Sequence, residues 1–422
     1  MKIVESLKIK EKVYIEKLEN GLTVMIIPKN TTNKKYAIWG THFGSNDNHF
    51  IMPDTKKEVY LPDGVAHFLE HKMFEQENGV NSLDKLMSLG VDANAYTTNN
   101  HTAYLFETTE HFMEALDELM DYVQHPYFTD ENVEKEKGII SQEIKMYDDD
   151  PAWKLYMNAL DCMYKESAIK IDIAGTVESI SKIDKDVLYK TYNTFYHPSN
   201  MVMALCGDFV PEEILQEIKN RLIEKPKQGD IKRIYPKEEE TINKSYKEEV
   251  MEVSKPIFMI GFKDKIDTND KVRRHIAIEI IMNMLIGKSS DLYQELYKQG
   301  ILLNIPDLDY EFTDDYAHVL ISGQSKEPEM VKEKLLNEIR KQKENINEED
   351  FNRIKKKVYG DYVVEYNDVS DIARMLLSDY FKGVNSFDYI EQFQTVTIEY
   401  TKQILQEVFD EKKCIMSIVK TK

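Results

Sequence analysis

His67, Glu70 and His71 fall within five consecutive residues, His67-Phe68-Leu69-Glu70-His71. Histidines four residues apart lie on one face of an α-helix, a turn from each other. Both imidazoles can then reach a single metal ion. Glu70 projects toward the same side, and a carboxylate beside a metal-activated water acts as a general base. The flanks favour a helix. Pro62-Asp63-Gly64 closes the preceding loop, and Val65, Ala66, Phe68, Leu69, Met73 and Phe74 supply apolar residues on several sides, as on a buried helix. The alternative is a pair of core histidines satisfied by hydrogen bonds, with Glu70 as one partner. It is disfavoured because a buried carboxylate without a cation is costly.

The string H-x-x-E-H is the inverted zinc-peptidase motif. Two histidines do not complete such a site, since a catalytic zinc takes three protein ligands and leaves a fourth position for water. The segment from Asp130 to Tyr147 is a strong helix candidate, with Asp130-Glu131-Asn132 at its start and Val133, Ile139, Ile140, Ile144 and Met146 along it. Glu136 and Glu143, seven apart, share a face of that helix. Spacing does not choose between Glu134, Glu136 and Glu143.

The chain resembles the insulinase/pitrilysin family of zinc metallopeptidases, in length most like the mitochondrial processing peptidase and small bacterial members. In that family the H-x-x-E-H helix is followed some seventy residues later by a helix of form E-x6-E, matched here by Glu136-Lys-Gly-Ile-Ile-Ser-Gln-Glu143. The resemblance implies one Zn2+ per chain, ligated by His67, His71 and Glu143, with Glu70 as the base and Glu136 orienting the ligands from outside. It extends to Leu18-Glu19-Asn20-Gly21-Leu22-Thr23-Val24, similar to the family's opening strand, and to Gly44-Ser45 and Asn94-Ala95-Tyr96-Thr97-Thr98. It continues through Gly175-Thr176-Val177-Glu178-Ser179-Ile180, Phe195-Tyr196-His197-Pro198-Ser199-Asn200-Met201 and Gly207-Asp208. The second half matches more loosely, through Leu292-Tyr293-Gln294-Glu295-Leu296. Family substrates add as a strand to a sheet edge, which places peptide binding at Asn94 and Ala95.

The bulk properties fit. With 422 residues, two or more domains are expected. A net charge of −20 argues against nucleic acid and anionic membrane surfaces as partners. Cys162, Cys206 and Cys414 are far apart and form no C-x-x-C pair, which fits a reducing compartment rather than a disulfide framework. The N-terminus, Met1-Lys2-Ile3-Val4-Glu5-Ser6, lacks an apolar signal core, and no apolar run is long enough to span a bilayer. A cytoplasmic location is expected.

The longest polar interruption, Glu224 to Asp230 and Pro236 to Glu240, reads as a linker between residues 1–227, bearing the metal, and residues 228–422, of similar fold without a metal site. The halves repeat a pattern. His101-Thr102-Ala103-Tyr104-Leu105-Phe106 precedes a helix and an acidic turn, and so does Ala317-His318-Val319-Leu320-Ile321. Apolar residues alternating in Thr23–Ile27 and Val202–Cys206 suggest a mostly antiparallel α+β fold. The expectation is two homologous α/β-sandwich domains, each an antiparallel sheet with packed helices, forming a clam-like half-chamber.

One departure from the family stands out. Other members bring an Arg and a Tyr to the substrate carbonyl from a stretch like L-R-x-x-x-G-x-x-Y. Here the stretch reads Leu296-Tyr297-Lys298-Gln299-Gly300-Ile301-Leu302-Leu303, and neither Tyr297 nor Leu303 supplies those groups. The expected function is therefore a zinc endopeptidase subunit for short or unfolded peptides. It would pair as a homo- or heterodimer with a related chain carrying the Arg/Tyr pair. The competing readings are a catalytically silent assembly partner of the same fold, or an accessory factor in protein modification.

Overall fold

The computed structural model describes residues 1–266 and 269–421. Fifteen strands are present among them: β1 Lys2–Ser6, β2 Glu11–Lys17, β3 Thr23–Pro28, β4 Lys35–Thr41, β5 His49–Ile51, β6 Glu58–Tyr60, β7 Asp92–Thr97, β8 Thr102–Thr108, β9 Met201–Gly207, β10 Lys232–Arg233, β11 Tyr246–Val250, β12 Ile257–Lys263, β13 Asp307–Phe312, β14 Ala317–Gln324 and β15 Cys414–Lys420. They form a seven-stranded sheet in the order β1-β2-β3-β9-β4-β8-β7, a five-stranded sheet in the order β11-β15-β12-β14-β13, and a small sheet of β10, β5 and β6. Within each large sheet a single pair is parallel, β3 with β9 and β11 with β15, and the others are antiparallel. The run β3-β9-β4-β8-β7 has the same order and the same parallel pair as β11-β15-β12-β14-β13. The repeat read from the two halves of the sequence is thus a repeat of topology.

β3 and β9 do not alternate between buried and exposed positions. All of β9 and all but the last residue of β3 are buried. They are central strands covered on both faces, which removes the polar alternation a half-solvated strand needs. One face belongs to the main core, with Val24, Ile26, Ala37, Trp39, Tyr104, Phe106, Met203 and Leu205 contributing alternate positions. The other face is covered by the helix Val369–Phe381, which packs on β4 and β9. Gly40 of β4 makes room for it, since a Cβ there would lie 2.8 Å from Leu377 Cδ1. The second sheet repeats the arrangement. The helix Pro151–Met163 packs on β12 and β15, and a Cβ on Gly261 of β12 would collide with the Met163 methyl.

The covering helices come from distant parts of the chain, so neither compact unit is continuous. One comprises Met1–Ile144, Ile171–Tyr235 and Glu365–Phe387; the other comprises Lys145–Lys170, Pro236–Val364 and the chain from Asp388 onward. The single boundary expected between 227 and 228 therefore does not hold. The polar stretch is pinned rather than loose: β10 pairs with β5, Arg233 Nε lies 2.9 Å from the buried Asp47 Oδ1, and the Tyr235 hydroxyl donates to the same carboxylate at 2.8 Å. The chain then enters the second unit, where Glu238 accepts backbone N–H groups from Glu166 and Ser167 at 2.7 and 2.8 Å.

Leu18 to Leu22 is a turn and not a strand. It joins β2 to β3, with Leu18 N–H donating to Leu22 O at 2.8 Å and Gly21 at φ 97°. Among the described residues no helix is long and apolar enough to cross a membrane.

Candidate metal centre

The H-x-x-E-H string lies on the helix Val65–Lys72. Phe68 and Leu69 are fully buried, and Val65 and Ala66 nearly so, which fixes the helix against the core and turns the His67 and His71 side out. Gly64 starts the helix at φ 89°, where its missing Cβ lets Ala174 O approach closely. The second helix, Asp130–Asp148, supplies the carboxylates. His67 Nε2 lies 3.6 Å from Glu143 Oε1, and His71 Nε2 lies 3.5 Å from Glu143 Oε2. One ligand atom from each of the three residues fits within 4.8 Å of the others.

These separations suit an ion. Tetrahedral bonds of about 2.1 Å to nitrogen and oxygen put neighbouring donors about 3.4 Å apart, too far for strong hydrogen bonds but right for a shared cation. Two imidazoles and one carboxylate, all partly exposed, leave a side open to a further ligand. Glu136 donates no ligand atom to this cluster. Its Oε1 accepts from His71 Nδ1 at 3.1 Å, which fixes the ring with Nε2 toward Glu143. His67 Nδ1 is buried and has no protein hydrogen-bond partner among the described residues, so packing and the Glu143 carboxylate position that ring.

Glu70 stands apart from the triad. It is 8 % exposed, and the Thr97 hydroxyl donates to its Oε2. Burial pushes its carboxyl above the usual carboxylate range, against the opposing pull of His67, Thr97 and His71. A carboxylate displaced upward in this way is better matched to taking and returning a proton near neutrality. Beneath it the Tyr104 and Tyr196 hydroxyls bond to each other at 2.8 Å, and burial drives both phenols up.

Two members of the site went unread in the sequence. Thr97 belongs to the quoted Asn94–Thr98 segment, and period-two alternation along β7 would have placed it on the same face as Ala95. Lys72 is the other. Its side chain is 1 % exposed, its ammonium bonds Glu75, and it lies 3.6 Å from Glu136 Oε2. Burial works against the Glu136 charge, but the His71 hydrogen bond and the Lys72 ammonium outweigh it and hold the carboxyl below its usual value. The signal was a single lysine within the mostly apolar segment Val65 to Phe74. Lys72→Met is expected to lower metal affinity by up to about tenfold, less than loss of Glu136 itself, since it acts only through the carboxylate that orients His71. Competition with a chromogenic chelator measures this, and Lys72→Arg should restore part of it.

Asn94 and Ala95 sit on β7, the edge strand beside β8. Ala95 packs against the main core, while Asn94 is exposed and its Oδ1 accepts from Ala95 N–H at 2.8 Å. In the second unit, Tyr297 is 53 % exposed and stacks on Tyr293, with Leu303 half-buried beyond the Gly300 turn.

A family model described as insulinase (peptidase family M16) matches residues 58–177, a span that includes His67, Glu70, His71, Glu136 and Glu143. Another, described as the peptidase M16 inactive domain, matches residues 182–358. An uncharacterized zinc protease of Bacillus subtilis, YmfH, is 38% identical over 412 residues, 96% of each chain. The chain belongs to the insulinase family. A crystal structure of an M16-like peptidase from Alicyclobacillus acidocaldarius is 33% identical, superposes with a TM-score of 0.93, and is matched over 99% of this chain and 100% of that one. A protease from Helicobacter pylori, 18% identical with a TM-score of 0.82 over 97% and 99% of the two chains, shares the insulinase-family fold.

Proposed function

We propose that this chain is the zinc-bearing subunit of a peptidase that cleaves short or unfolded peptides. The observation that carries the proposal is the convergence of His67, His71 and Glu143 beside the buried carboxylate of Glu70. His67, His71 and Glu143 would hold the ion, with Glu136 and Lys72 steadying His71 behind it. Zinc, when bound, polarises a carbonyl and acidifies water. Glu70 accepts a proton at its carboxylate as water attacks the peptide carbonyl, and returns it to the departing amine. The Thr97 hydroxyl holds Glu70 Oε2 in place through these transfers. β7 offers its open edge to an extended peptide, so backbone pairing positions many sequences alike while side-chain pockets choose among them.

Tyr297 and Leu303 stand where the family resemblance would place the Arg and Tyr for the carbonyl oxygen, and this supports a dimer in which a related chain supplies both. The same two residues favour the second reading, a silent assembly partner. Zinc content by atomic spectroscopy and hydrolysis of a quenched peptide library, with and without a candidate partner, separate them. One zinc per chain with cleavage only in the pair is the expected result. Cleavage by the chain alone overturns the shared-site reading, and an absence of zinc overturns the peptidase reading. A cytoplasmic location completes the proposal.

A further inference from the structure

The two faces of β7 differ. Ala95 and Thr97 point to the face shared with Glu70. Asp92, Asn94 and Tyr96 alternate onto the opposite face, the one covered farther in by the helix Val369–Phe381. Arg374 of that helix is exposed, and its guanidinium carbon lies 5.5 Å from the Tyr96 ring centroid and 5.7 Å from that of Tyr36. Tyr36 is 2 % exposed, so the cation rests on a fixed aromatic floor. No carboxylate pairs with it among the described residues. Glu107, on the same face in register with Tyr36, is engaged by Lys34 at 2.7 Å. The arrangement is a positioned cation that forms no ion pair among the described residues, next to the open edge of a sheet whose same face also carries Asp92, in a chain of net charge −20.

We propose that Arg374 selects peptides that present a carboxylate on this face of the strand they add beside β7. The inference rests on β7 being the edge that receives the peptide. A strand added there lies about 4.8 Å out and sends every second side chain toward Arg374. The planar fork of a guanidinium matches the two oxygens of a carboxylate, and stacking on Tyr36 and Tyr96 pre-organises it for that geometry. The carboxylate is that of an Asp or Glu side chain or of the peptide's own C-terminus.

The test is binding of fluorescein-labelled, end-blocked extended peptides to the zinc-loaded Glu70→Gln chain, followed by anisotropy. Glu is walked along the peptide against a Gln control, and each peptide is also made with a free C-terminus. At one position Glu should bind about tenfold more tightly than Gln, and Arg374→Gln should abolish the difference while Arg374→Lys keeps part of it. A gain seen only with the free C-terminus assigns the terminal carboxylate as the group selected. Unchanged zinc content and melting temperature show that the variants are folded. Equal binding of Glu and Gln peptides at every position overturns the role of Arg374 while leaving the edge-strand reading intact. If no peptide binds at all, the edge-strand reading falls and this inference with it.

Discussion

Glu70→Gln is expected to lower peptide cleavage by about two to four orders of magnitude while leaving one metal ion per chain. The amide keeps the shape of the carboxylate and can still accept the Thr97 hydrogen bond, but it cannot take a proton. None of the three clustered ligand residues is touched. Because burial disfavours the Glu70 charge, an uncharged amide avoids that desolvation cost, and the variant should melt no lower than the parent. Metal content, cleavage rate and melting temperature measured together on the active assembly check all three statements. Cleavage at the parental rate would remove Glu70 from the role of base, whereas loss of activity with a lowered melting temperature would point to misfolding.

Glu143→Ala should have the largest effect on the metal itself. It removes the carboxylate that faces both imidazoles, leaving two ligands where three are needed. Affinity should fall by more than about a hundredfold, beyond the range typical of losing an outer partner. Glu136→Gln should fall within that range, because it disturbs His71 only through one hydrogen bond. Glu134→Ala should do nothing, since the Glu134 side chain is 75 % exposed and pairs with Lys137 on the surface of the same helix. Competition titrations on the three variants give the order. Equal losses for Glu143→Ala and Glu136→Gln would mean that the ligand is misassigned.

These three glutamates also show where reading a sequence stops. Periodicity placed the helix of Asp130–Asp148 to within a residue, and put Glu136 and Glu143 on one face. It held no information about which of them meets the histidines, because that depends on the angle at which two separate helices approach. The resemblance to a family supplied that choice, and the distances agree with it. The H-x-x-E-H helix was legible for the opposite reason: its ligands are local, so one spacing fixes their geometry. Lys72 was hidden because a lysine next to such a motif reads as a solvated charge until its burial is seen. The turn at Leu18–Leu22 was hidden by its neighbours, since Leu22 is buried like the strand that follows it.

The exchanged helices were the least legible feature. An apolar stripe on Val369–Phe381 announces that the helix covers something, and nothing within it says that the surface lies more than 150 residues upstream, on β4 and β9. This connection bears on how the chain is made. A polypeptide emerging from the ribosome completes the seven strands of its first sheet once β9 has appeared, yet one face of that sheet stays uncovered until Phe381 follows. For that interval Ile38, Leu105 and Ala204 present an apolar surface to water, a state prone to sticking to other nascent chains. Closure by so remote a segment also raises contact order and slows folding. The ligands of the metal are synthesised more than 200 residues before the wall behind their sheet arrives.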